Sequence, residues 1–325
     1  MRARYLFPFD SRSVPQVFTD VLVLGSGIAG QAAALRAAQQ GARVLVVTKA
    51  AALESNSLYA QAGIAAALGD DDSIAQHVAD TLGAGDGLCD EGIVQAAVAE
   101  GPDAVAWLER SGVRFDRDEA DGPLSLGREG GHTARRVARA RGDATGSVIQ
   151  EALGARIADA DRIRVVPDAF AVDVVTVSGR CVGAAILWNG DLRLVWASSV
   201  VVATGGAARL FRESTNPKVT TGDGIAMAYR AGAEIRDMEF MQFHPTVLYV
   251  PGASRALISE AARGEGAVIT DTAGRRFLFD VDPRGELAPR DVVSRGIVAH
   301  LLEHGGSYVL LDLTSIDRAR LDSRL

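Results

Sequence analysis

The 325-residue chain is long enough for two domains, each with a sizeable hydrophobic core. Its composition, 48% hydrophobic and 23% charged residues, is that of an ordinary soluble globular protein. Lys and Arg total 34 against 41 Asp and Glu, and this net charge of −7 without a basic block argues against nucleic acid or an anionic membrane as a partner.

Cysteine usage and hydropathy favour an intracellular setting. Cys89 and Cys181 stand far apart without metal-ligand spacing, which predicts two ordinary reduced thiols and no metal site. Residues 1–18 contain no apolar run long enough for a signal peptide, and no run of about eighteen apolar residues could span a membrane. We therefore expect a cytoplasmic protein.

The chain begins with the pattern of a βαβ unit. Residues 20–24 (DVLVL) are nearly all apolar, as in a buried parallel strand, and residues 31–40 are alanine-rich and favour a helix. Residues 43–47 (RVLVV) predict the second strand. The segment GSGIAG joins the first strand to the helix, which is the context of a nucleotide-binding turn.

Gly25, Gly27 and Gly30 have the GxGxxG spacing of a dinucleotide-binding turn. The first glycine permits the tight turn, and the second lets a pyrophosphate approach the backbone at the helix N-terminus. The third lets the helix pack closely on the strand. We therefore predict a dinucleotide site, with a purely structural glycine turn as the alternative.

The residues after the second strand bear on which dinucleotide binds. NAD dehydrogenases place there an acidic residue that holds the ribose, whereas this chain has Thr48 and Lys49. That difference argues against a simple NAD dehydrogenase. Glu54 is a candidate substitute, with a solvated loop glutamate as the alternative.

The later elements alternate between strands and helices. Residues 73–112 predict two helices, and residues 200–203 predict a strand that runs into a second glycine turn at Gly205. Beyond about Arg236 the chain becomes charged and proline-containing, so we expect a second domain to begin there. Further strands are predicted at 163–166, 171–177, 181–187, 191–196 and 308–313, and further helices at 224–231 and 291–304.

Ionisable residues cluster in three later segments. Residues 237–246 (DMEFMQFHPT), 260–267 (EAARGEGA) and 287–291 (LAPRD) bring together a histidine, two arginines and a glutamate among turn-forming Gly and Pro. None of the segments has the period of a buried helix or strand, so core packing does not explain them. Such segments downstream of a nucleotide-binding turn are typical of the reacting half of a cofactor enzyme. Solvated loops are the alternative for any one of them.

Eight motifs occur in order along the chain: VLVLGSGIAG, SNSLYAQAGIAAAL, REGGHTARR, VVATGGAARLF, TTGDGIAMAYRAGAEI, DMEFMQFHPT, SEAARGEGA and GELAPRD. Together they resemble the succinate dehydrogenase/fumarate reductase flavoprotein family over essentially the whole chain. The resemblance implies an α/β fold, with an FAD-binding Rossmann-like domain at residues 1–236 and a second, α+β capping domain over the substrate at 237–325. Family members continue past residue 325, and residues 317–325 show no terminator, so we expect both domains to be incomplete on the C-terminal side.

Three places in the sequence resemble the aspartate oxidase branch of that family. Asn56 stands where succinate dehydrogenases carry the histidine that binds flavin covalently, so the resemblance implies non-covalent FAD. Glu129 suits a substrate with an ammonium group and would repel a plain dicarboxylate. Thr48 and Lys49 also match this branch, whereas Ala62 departs from the glycine that the family favours.

The resemblance also implies a reaction and its partners. The branch oxidises L-aspartate to iminoaspartate with FAD and passes the electrons to oxygen or fumarate. This is the first step of de novo NAD biosynthesis, with quinolinate synthase as the next enzyme. A soluble fumarate reductase or succinate dehydrogenase-type flavoprotein is the alternative within the same fold. Because family members are longer and supply a further histidine and arginine, an inactive FAD-binding fragment is the alternative of a different class.

The resemblance places FAD against the glycine turn, the end of the second strand and the loop that follows it. It also places FAD against later residues on a strand, in a glycine turn and at the start of a helix. The residues expected to bind FAD are Gly25, Ser26, Gly27, Ile28, Ala29, Gly30, Lys49, Asn56, Ser57, Leu58, Tyr59, Ala60, Gln61, Ala62, Gly63, Ala171, Val172, Gly205 and Asp223.

Substrate binding is expected at the second domain. By the resemblance, His244 and the hydroxyl of Ser259 hold one carboxylate of the substrate, with Gln242 nearby. The alternatives are structural, because His244 precedes Pro245 and could cap a turn, and Ser259 could cap a helix.

Arg290 is the residue that we expect to transfer a proton, within a candidate catalytic group that also contains Glu129. An arginine side chain stays protonated at ordinary pH, so it acts only if a relay replenishes its proton. Fumarate-reducing relatives use an Arg–Glu–Arg relay, and Arg290, Glu260 and Arg263 fall on the matching positions. A surface ion pair between Glu260 and Arg263 is the alternative. We interpret Arg135, Arg136, Arg275 and Arg276 as solvated.

Overall fold

The computed structural model describes residues 5–6, 8–250 and 256–316, and the charged stretch at 317–325 lies outside these residues. By internal contacts the chain groups into two compact units. The first unit comprises Met1–Tyr59 and Ile149–Met241, and the second comprises Ala60–Val148 and Gln242–Leu325. The domain division at residues 236 and 237 concerns the domains of the family and stays a prediction.

The described residues contain both strands and helices, and none of these helices is both long and apolar enough to cross a membrane. The strands are β1 (Gln16–Leu24), β2 (Val44–Val47), β3 (Ile64–Ala65), β4 (Leu126–Gly127), β5 (Val137–Ala138), β6 (Ile163–Val166), β7 (Ala169–Val177), β8 (Arg180–Trp188), β9 (Asp191–Val202), β10 (Val268–Thr270) and β11 (Leu310–Asp312). The helices are α1 (Ile28–Gln39), α2 (Ile74–Ala84), α3 (Glu91–Ala99), α4 (Gly101–Arg110), α5 (Thr145–Ala158), α6 (Asp223–Ala231), α7 (Ala261–Gly264) and α8 (Arg290–His304).

The first unit is built on a six-stranded sheet in the order β6-β2-β1-β9-β8-β7. Neighbours from β6 to β9 are parallel, and β9, β8 and β7 are antiparallel. This sheet confirms the expected α/β class and its Rossmann-like βαβ start. Leu24 pairs with both Val47 and Val202, so β1, β2 and β9 end at the same edge. That carboxyl edge is where open α/β sheets bind ligands.

Apolar burial explains why these segments form central strands. Leu22, Val23 and Leu24 are fully buried, and so are all four residues of β2. Consecutive apolar residues suit a parallel strand that is covered on both faces. Leu24 and Val47 pack in one core with Met227 of α6. This core fixes the carboxyl ends of β1 and β2, from which the following loops extend.

The predicted break between residues 191–196 and 200–203 is wrong, because both segments belong to the single strand β9. Residues 191–196 of β9 pair with β8, and residues 194–202 pair with β1. Strand β9 therefore continues through the polar Ser198 and Ser199, where the apolar pattern is interrupted, because it is hydrogen-bonded to β1.

The prediction of two helices at residues 73–112 is also wrong, because the segment forms α2, α3 and α4. The side chain of Asp90 accepts a hydrogen bond from the backbone of Ile93 and so caps the start of α3. Pro102 lies in the first turn of α4, where a proline costs no helical hydrogen bond. These local start signals outweigh the continuous apolar periodicity.

The second unit contains two small antiparallel sheets, in the orders β3-β5-β4 and β10-β11. Ile269 of β10 packs in one core with Leu278 and with Val293 of α8. Helix α8 begins at Arg290 directly after Pro289, whose φ is −53°. The buried face of α8 thereby fixes the backbone from which the Arg290 side chain extends.

Arg136 is not solvated as predicted. Its side chain is fully buried and forms ion pairs with Asp72 at 2.8 Å and with Asp80 at 2.7 Å. A buried arginine needs such partners, because an unpaired charge would lose its hydration without compensation. Arg276 is half-exposed and pairs with the buried Glu286 at 2.8 Å.

Candidate functional site

A cavity of about 480 Å³ lies at the carboxyl edge of β1, β2 and β9 in the first unit. Its volume falls within the range of about 300–1,000 Å³ that is usual for small-molecule and cofactor sites. The expected FAD residues that line it are Gly25, Ser26, Gly27, Ile28, Ala29, Lys49, Asn56, Ser57, Ala171, Gly205 and Asp223.

The other expected FAD residues lie outside that lining. Gly30 is buried in the first turn of α1. Val172 is buried in β7, where its carbonyl oxygen accepts a hydrogen bond from Arg230 Nη2 at 2.7 Å. Leu58 and Tyr59 end a short 3-10 helix. Ala60, Gln61, Ala62 and Gly63 belong to the second unit, and their contact with FAD stays a prediction.

The glycine turn has two positions that only glycine can occupy. Gly25 has φ +108°, and a Cβ there would lie 2.2 Å from the carbonyl oxygen of Ala203. A Cβ on Gly30 would lie 2.0 Å from the carbonyl oxygen of Gly25. Gly27 has an ordinary φ of −66°, and a Cβ there would lie 3.3 Å from Ser57 Oγ, a tight contact that a small shift of the serine side chain can relieve. The first and third glycines therefore maintain the fold, and the second lies in the cavity wall beside Ser55 and Ser57.

The N-terminus of α1 faces the same turn and suits an anion. Gly27 is the N-cap residue and provides no side-chain cap, and the first turn contains no acidic residue. Ser26 lines the cavity, and its buried hydroxyl has no hydrogen-bond partner within the described residues. A positive helix end beside an unpaired hydroxyl fits the pyrophosphate of a dinucleotide.

Two buried glutamines support this turn, and no motif or spacing indicates a role for either of them. Gln150 Nε2 donates to the carbonyl oxygen of Ser26 at 2.7 Å. Gln31 Nε2 donates to the carbonyl oxygen of Gln150 at 3.4 Å. Gln150 is fully buried on α5, so its amide substitutes for water at the backbone of the turn.

Lys49, which follows the second strand where an acidic residue is missing, belongs to a polar network. Its ammonium group pairs with Asp223 of α6 and donates to Thr221 Oγ1 at 2.5 Å. Thr220 Oγ1 donates to Asn56 Oδ1 at 2.8 Å, which anchors the loop after β2. Glu54 also lines the cavity, where it accepts a hydrogen bond from the Tyr59 hydroxyl at 3.0 Å.

Gly27→Val is expected to weaken FAD binding by about tenfold or more, roughly 1.4 kcal/mol or more, without unfolding the chain. The backbone conformation at Gly27 is open to any residue, and the added side chain crowds the cavity wall at Ser55 and Ser57. Titrating the chain with FAD by fluorescence quenching measures the effect. Gly83→Val is the control, because a Cβ there meets nothing within 4 Å. Equal FAD affinity in the two variants would contradict the prediction.

The second unit gathers an arginine–glutamate cluster, formed by Glu129, Arg139, Glu260, Arg263 and Arg290. Arg290 pairs with Glu260, and its guanidinium lies 3.8 Å from Glu129. Glu260 also pairs with Arg263 at 2.8 Å, and Glu129 pairs with Arg139 at 3.3 Å. The four residues expected from the sequence as the catalytic group therefore lie together.

The ion pair between Glu260 and Arg263 does not lie on the surface. The side chain of Arg263 is 1% exposed and that of Glu260 is 9% exposed. Burial lowers the pKa of Arg263, although the charge of Glu260 acts to raise it. Arg263 Nη1 also donates to the carbonyl oxygen of Glu286 at 2.7 Å. The Arg290 side chain is 31% exposed, so it is the accessible end of the series.

Arg139 is the member of the cluster that sequence reasoning missed. It stands outside the REGGHTARR motif, and an isolated arginine carries no spacing signal. In the structure its Nη2 donates to Glu129 Oε1, and its Nε is buried without a hydrogen-bond partner among the described residues. Arg139 therefore holds Glu129 through Oε1, whereas Arg290 lies nearest to Oε2.

His244 is half-buried, and the charges of the arginine–glutamate cluster act on its pKa. Its pKa falls from the usual 6.5 to about 4, first because of burial and then because of the positive charge of Arg290. Its Nδ1 accepts a hydrogen bond from the backbone N–H of Thr246 at 3.2 Å. His244 is therefore neutral at neutral pH and presents a hydrogen-bonding ring rather than a charge.

We expect the ring resonances of His244 to stay constant between pH 5 and 8 and to titrate only near pH 4. The unfolded chain takes up that proton near pH 6.5, so stability due to this group falls as the pH drops from 6.5 towards 4. In His244→Gln the free energy of unfolding should decrease less between pH 6.5 and pH 4 than it does in the wild type. NMR titration and denaturant unfolding measure the two effects, and a midpoint near 6.5 in the folded chain would contradict the first.

Gln242 and Ser259 complete the expected set. Gln242 Oε1 accepts a long hydrogen bond from Arg290 Nη1 at 3.4 Å. Ser259 is half-buried and directly precedes Glu260, and its carbonyl oxygen accepts from the backbone of Ala262 at 3.1 Å. The structure thus brings Gln242 to Arg290, and it places Ser259 at the start of α7. Within the described residues no group of three or more His, Cys, Asp or Glu could hold a metal ion.

Comparison with known proteins gives consistent matches. The chain matches the FAD binding domain family over residues 20–325. It is 45% identical over 317 residues to the L-aspartate oxidase of Streptomyces coelicolor, covering 95% of this chain and 54% of that relative. It is 42% identical over 339 residues to the L-aspartate oxidase of a Nostoc species, covering 99% and 58%. The FrdA chain of E. coli quinol fumarate reductase superposes with a TM-score of 0.88 at 33% identity, covering 96% of this chain and 56% of that one.

These matches confirm the resemblance drawn from the eight ordered motifs, including its aspartate oxidase branch. The chain spans a little over half the length of the curated relatives that it matches. The matched residues include the glycine turn and the residues that line the cavity. The volume of this cavity and the unpaired Ser26 hydroxyl fit a dinucleotide. This chain belongs to the FAD binding domain family, and its cofactor is FAD.

Proposed function

We propose that this chain serves the FAD-dependent oxidation of L-aspartate to iminoaspartate, with oxygen or fumarate as the electron acceptor. The observation that carries the proposal is the position of Glu129 beside Arg290 in the arginine–glutamate cluster. A carboxylate next to an arginine offers one group for an ammonium and one for a carboxylate, which are the polar groups of an α-amino acid. The names of the most similar curated relatives support the same substrate.

The residues of the chain would divide the work of binding and proton movement. FAD, when bound, supplies the acceptor for the hydride that leaves Cα. Glu129 binds the ammonium group, and it retains acceptor capacity because Arg139 uses mainly one of its oxygens. Arg290 clamps a carboxylate, Glu260 stabilises the charge of Arg290, and Glu260 and Arg263 together link it to a proton relay. His244, Ser259 and Gln242 would hold the second carboxylate.

The binding of FAD by this chain would use the residues that line the cavity. The N-terminus of α1 and the Ser26 hydroxyl suit the pyrophosphate, and Lys49 and Asp223 lie at the end expected for the ribose. Asn56 at the position of the flavinylated histidine supports a non-covalent complex. We also propose a cytoplasmic location and a place at the start of NAD biosynthesis, upstream of quinolinate synthase, on the strength of the family resemblance.

Anaerobic reduction of the bound flavin tests the proposed reaction. The chain is loaded with FAD, aspartate or succinate is added without oxygen, and the visible absorbance of the flavin is followed. We expect aspartate to bleach the flavin faster than succinate. Faster bleaching by succinate would instead favour a fumarate reductase or succinate dehydrogenase-type activity, which the structural similarity to quinol fumarate reductase supports as the second candidate. A yellow chain that neither substrate bleaches would contradict both.

A further inference from the structure

Thr246 is the buried neighbour of His244, and it contacts the imidazole through two groups. Its backbone N–H donates to His244 Nδ1 at 3.2 Å, and its Oγ1 lies 3.3 Å from the same nitrogen. Pro245 stands between the two residues and has no N–H. The N–H of Thr246 is therefore the first backbone donor that follows the histidine.

This contact determines which ring nitrogen carries the proton. A backbone N–H can only donate, so His244 Nδ1 must accept. In a neutral imidazole the other nitrogen, Nε2, then carries the proton and becomes the donor. The single hydroxyl proton of Thr246 is directed to the carbonyl oxygen of Ile258 at 3.0 Å, so the backbone N–H, and not the hydroxyl, is the donor to Nδ1.

Thr246 is itself held in place by two hydrogen bonds with Ile258. The backbone N–H of Ile258 donates to the carbonyl oxygen of Thr246 at 3.0 Å, while the Thr246 hydroxyl donates to the carbonyl of Ile258. Val247 and Leu257 form the next bridge of this short antiparallel pairing. Thr246 is only 6% exposed, so water cannot easily replace these bonds. The hydroxyl thus anchors the residue whose N–H orients the histidine.

We propose that Thr246 is a positioning residue that holds His244 as the Nε2–H tautomer, so that Nε2 offers a hydrogen-bond donor to a substrate carboxylate. This inference rests on the proposed function and deepens it. The opposite tautomer would turn a lone pair towards a carboxylate oxygen, which is repulsive. Arg290 and Arg263 already supply positive charge around His244, and Glu260 supplies negative charge, so a neutral donor adds binding without a further cation.

The tautomer can be read directly from the ring nitrogens. The chain is labelled with ¹⁵N-histidine, and the shifts of Nδ1 and Nε2 are recorded without substrate, with His244→Gln used to assign His244 among the five histidines. We expect an unprotonated Nδ1 and a protonated Nε2 in the wild type and in Thr246→Ser. Thr246→Val loses the anchoring hydroxyl, and we expect it to show a mixture of tautomers. A proton on Nδ1 in the wild type would overturn the proposal even if Thr246→Val failed to fold.

Steady-state kinetics provides the second measurement. Thr246→Val should raise KM for aspartate by roughly fivefold to tenfold and change kcat less, and Thr246→Ser should restore KM. Thr19→Val is the matched control, because it also removes a threonine hydroxyl that donates to a backbone carbonyl, that of Arg43 at 2.8 Å. Wild-type tautomer and KM in Thr246→Val would overturn the proposal. Because the NMR measurement needs no turnover, an inactive chain would refute only the proposed function.

Discussion

Arg290→Leu is expected to lower aspartate turnover by about a hundredfold to a thousandfold, the effect typical of removing one preorganised charged group from an active site. The flavin content should stay unchanged. Arg290 contacts Glu260 and lies close to Glu129, so leucine removes both the proposed carboxylate clamp and the first member of the proposed relay. Stopped-flow reduction of bound FAD by aspartate separates this loss from any change in the oxygen step.

The fold should survive this substitution because both carboxylates keep a second arginine. Glu260 stays paired with Arg263 at 2.8 Å, and Glu129 stays paired with Arg139 at 3.3 Å. Neither becomes the unpaired buried charge that usually destabilises a protein. An independent signal comes from His244, whose pKa should rise above about 4 because the charge of Arg290 helps to lower it.

Arg295→Leu is the matched control for Arg290→Leu. Arg295 lies on the same helix, is largely exposed, and forms a surface pair with Asp291 at 2.7 Å. Exposed pairs of this kind contribute about 0.3–0.5 kcal/mol to the free energy of unfolding, so the fold should persist in Arg295→Leu. Turnover should not change. If Arg290→Leu retained most of the wild-type turnover, both the clamp and the relay would have to be abandoned.

Glu129→Gln is expected to reduce kcat/KM for aspartate by about a hundredfold, equivalent to roughly 2.7 kcal/mol, and fumarate reduction by less than about tenfold. Glutamine has nearly the same size but lacks the charge that attracts an ammonium group. Fumarate has no ammonium group, so it loses only the local arrangement of Arg139 and Arg290. Parallel assays with reduced electron donor and fumarate, and with aspartate and oxygen, give the two values.

Glu109→Gln controls for the loss of an arginine partner alone. Glu109 pairs with Arg117 at 2.6 Å, but it lies in a more exposed position with a side chain 34% exposed. Neither reaction should respond to this change. Equal losses of both activities in Glu129→Gln would remove the basis for preferring aspartate over succinate as the substrate.

The cofactor half of the chain was predictable because its signals are local. The strand that ends at Leu24, the glycines at 25 and 30 and the start of α1 all fall within a short stretch, where burial and backbone geometry leave few alternatives. The motif order likewise predicted that Glu129, Glu260 and Arg290 would act together, and the structure places them in one cluster. Their individual roles remain predictions.

Residues whose role depends on a distant partner were not predictable. Gln150 looks like any polar helix residue, yet its amide binds the carbonyl of Ser26, 124 positions away. The importance of Thr246 depends on a backbone pairing with Ile258 that no spacing rule reveals. Residue type indicates the chemistry available to a segment, whereas tertiary folding decides which partner it meets. The same reason accounts for the wrong break in β9, which is bridged by hydrogen bonds to β1.

The strand order of the first unit has a consequence for synthesis on the ribosome. One edge of β1 finds β2 soon after it emerges, but the other edge waits for β9, since Gln16 pairs with Leu194. At about 5–20 residues per second, the intervening chain takes roughly 10 to 35 s to appear. Throughout that interval β1 presents an unpaired strand edge, which can template association with another chain. Nascent copies of this protein should therefore depend on chaperone cover until β9 has emerged, and crowded polysomes should be where it aggregates first.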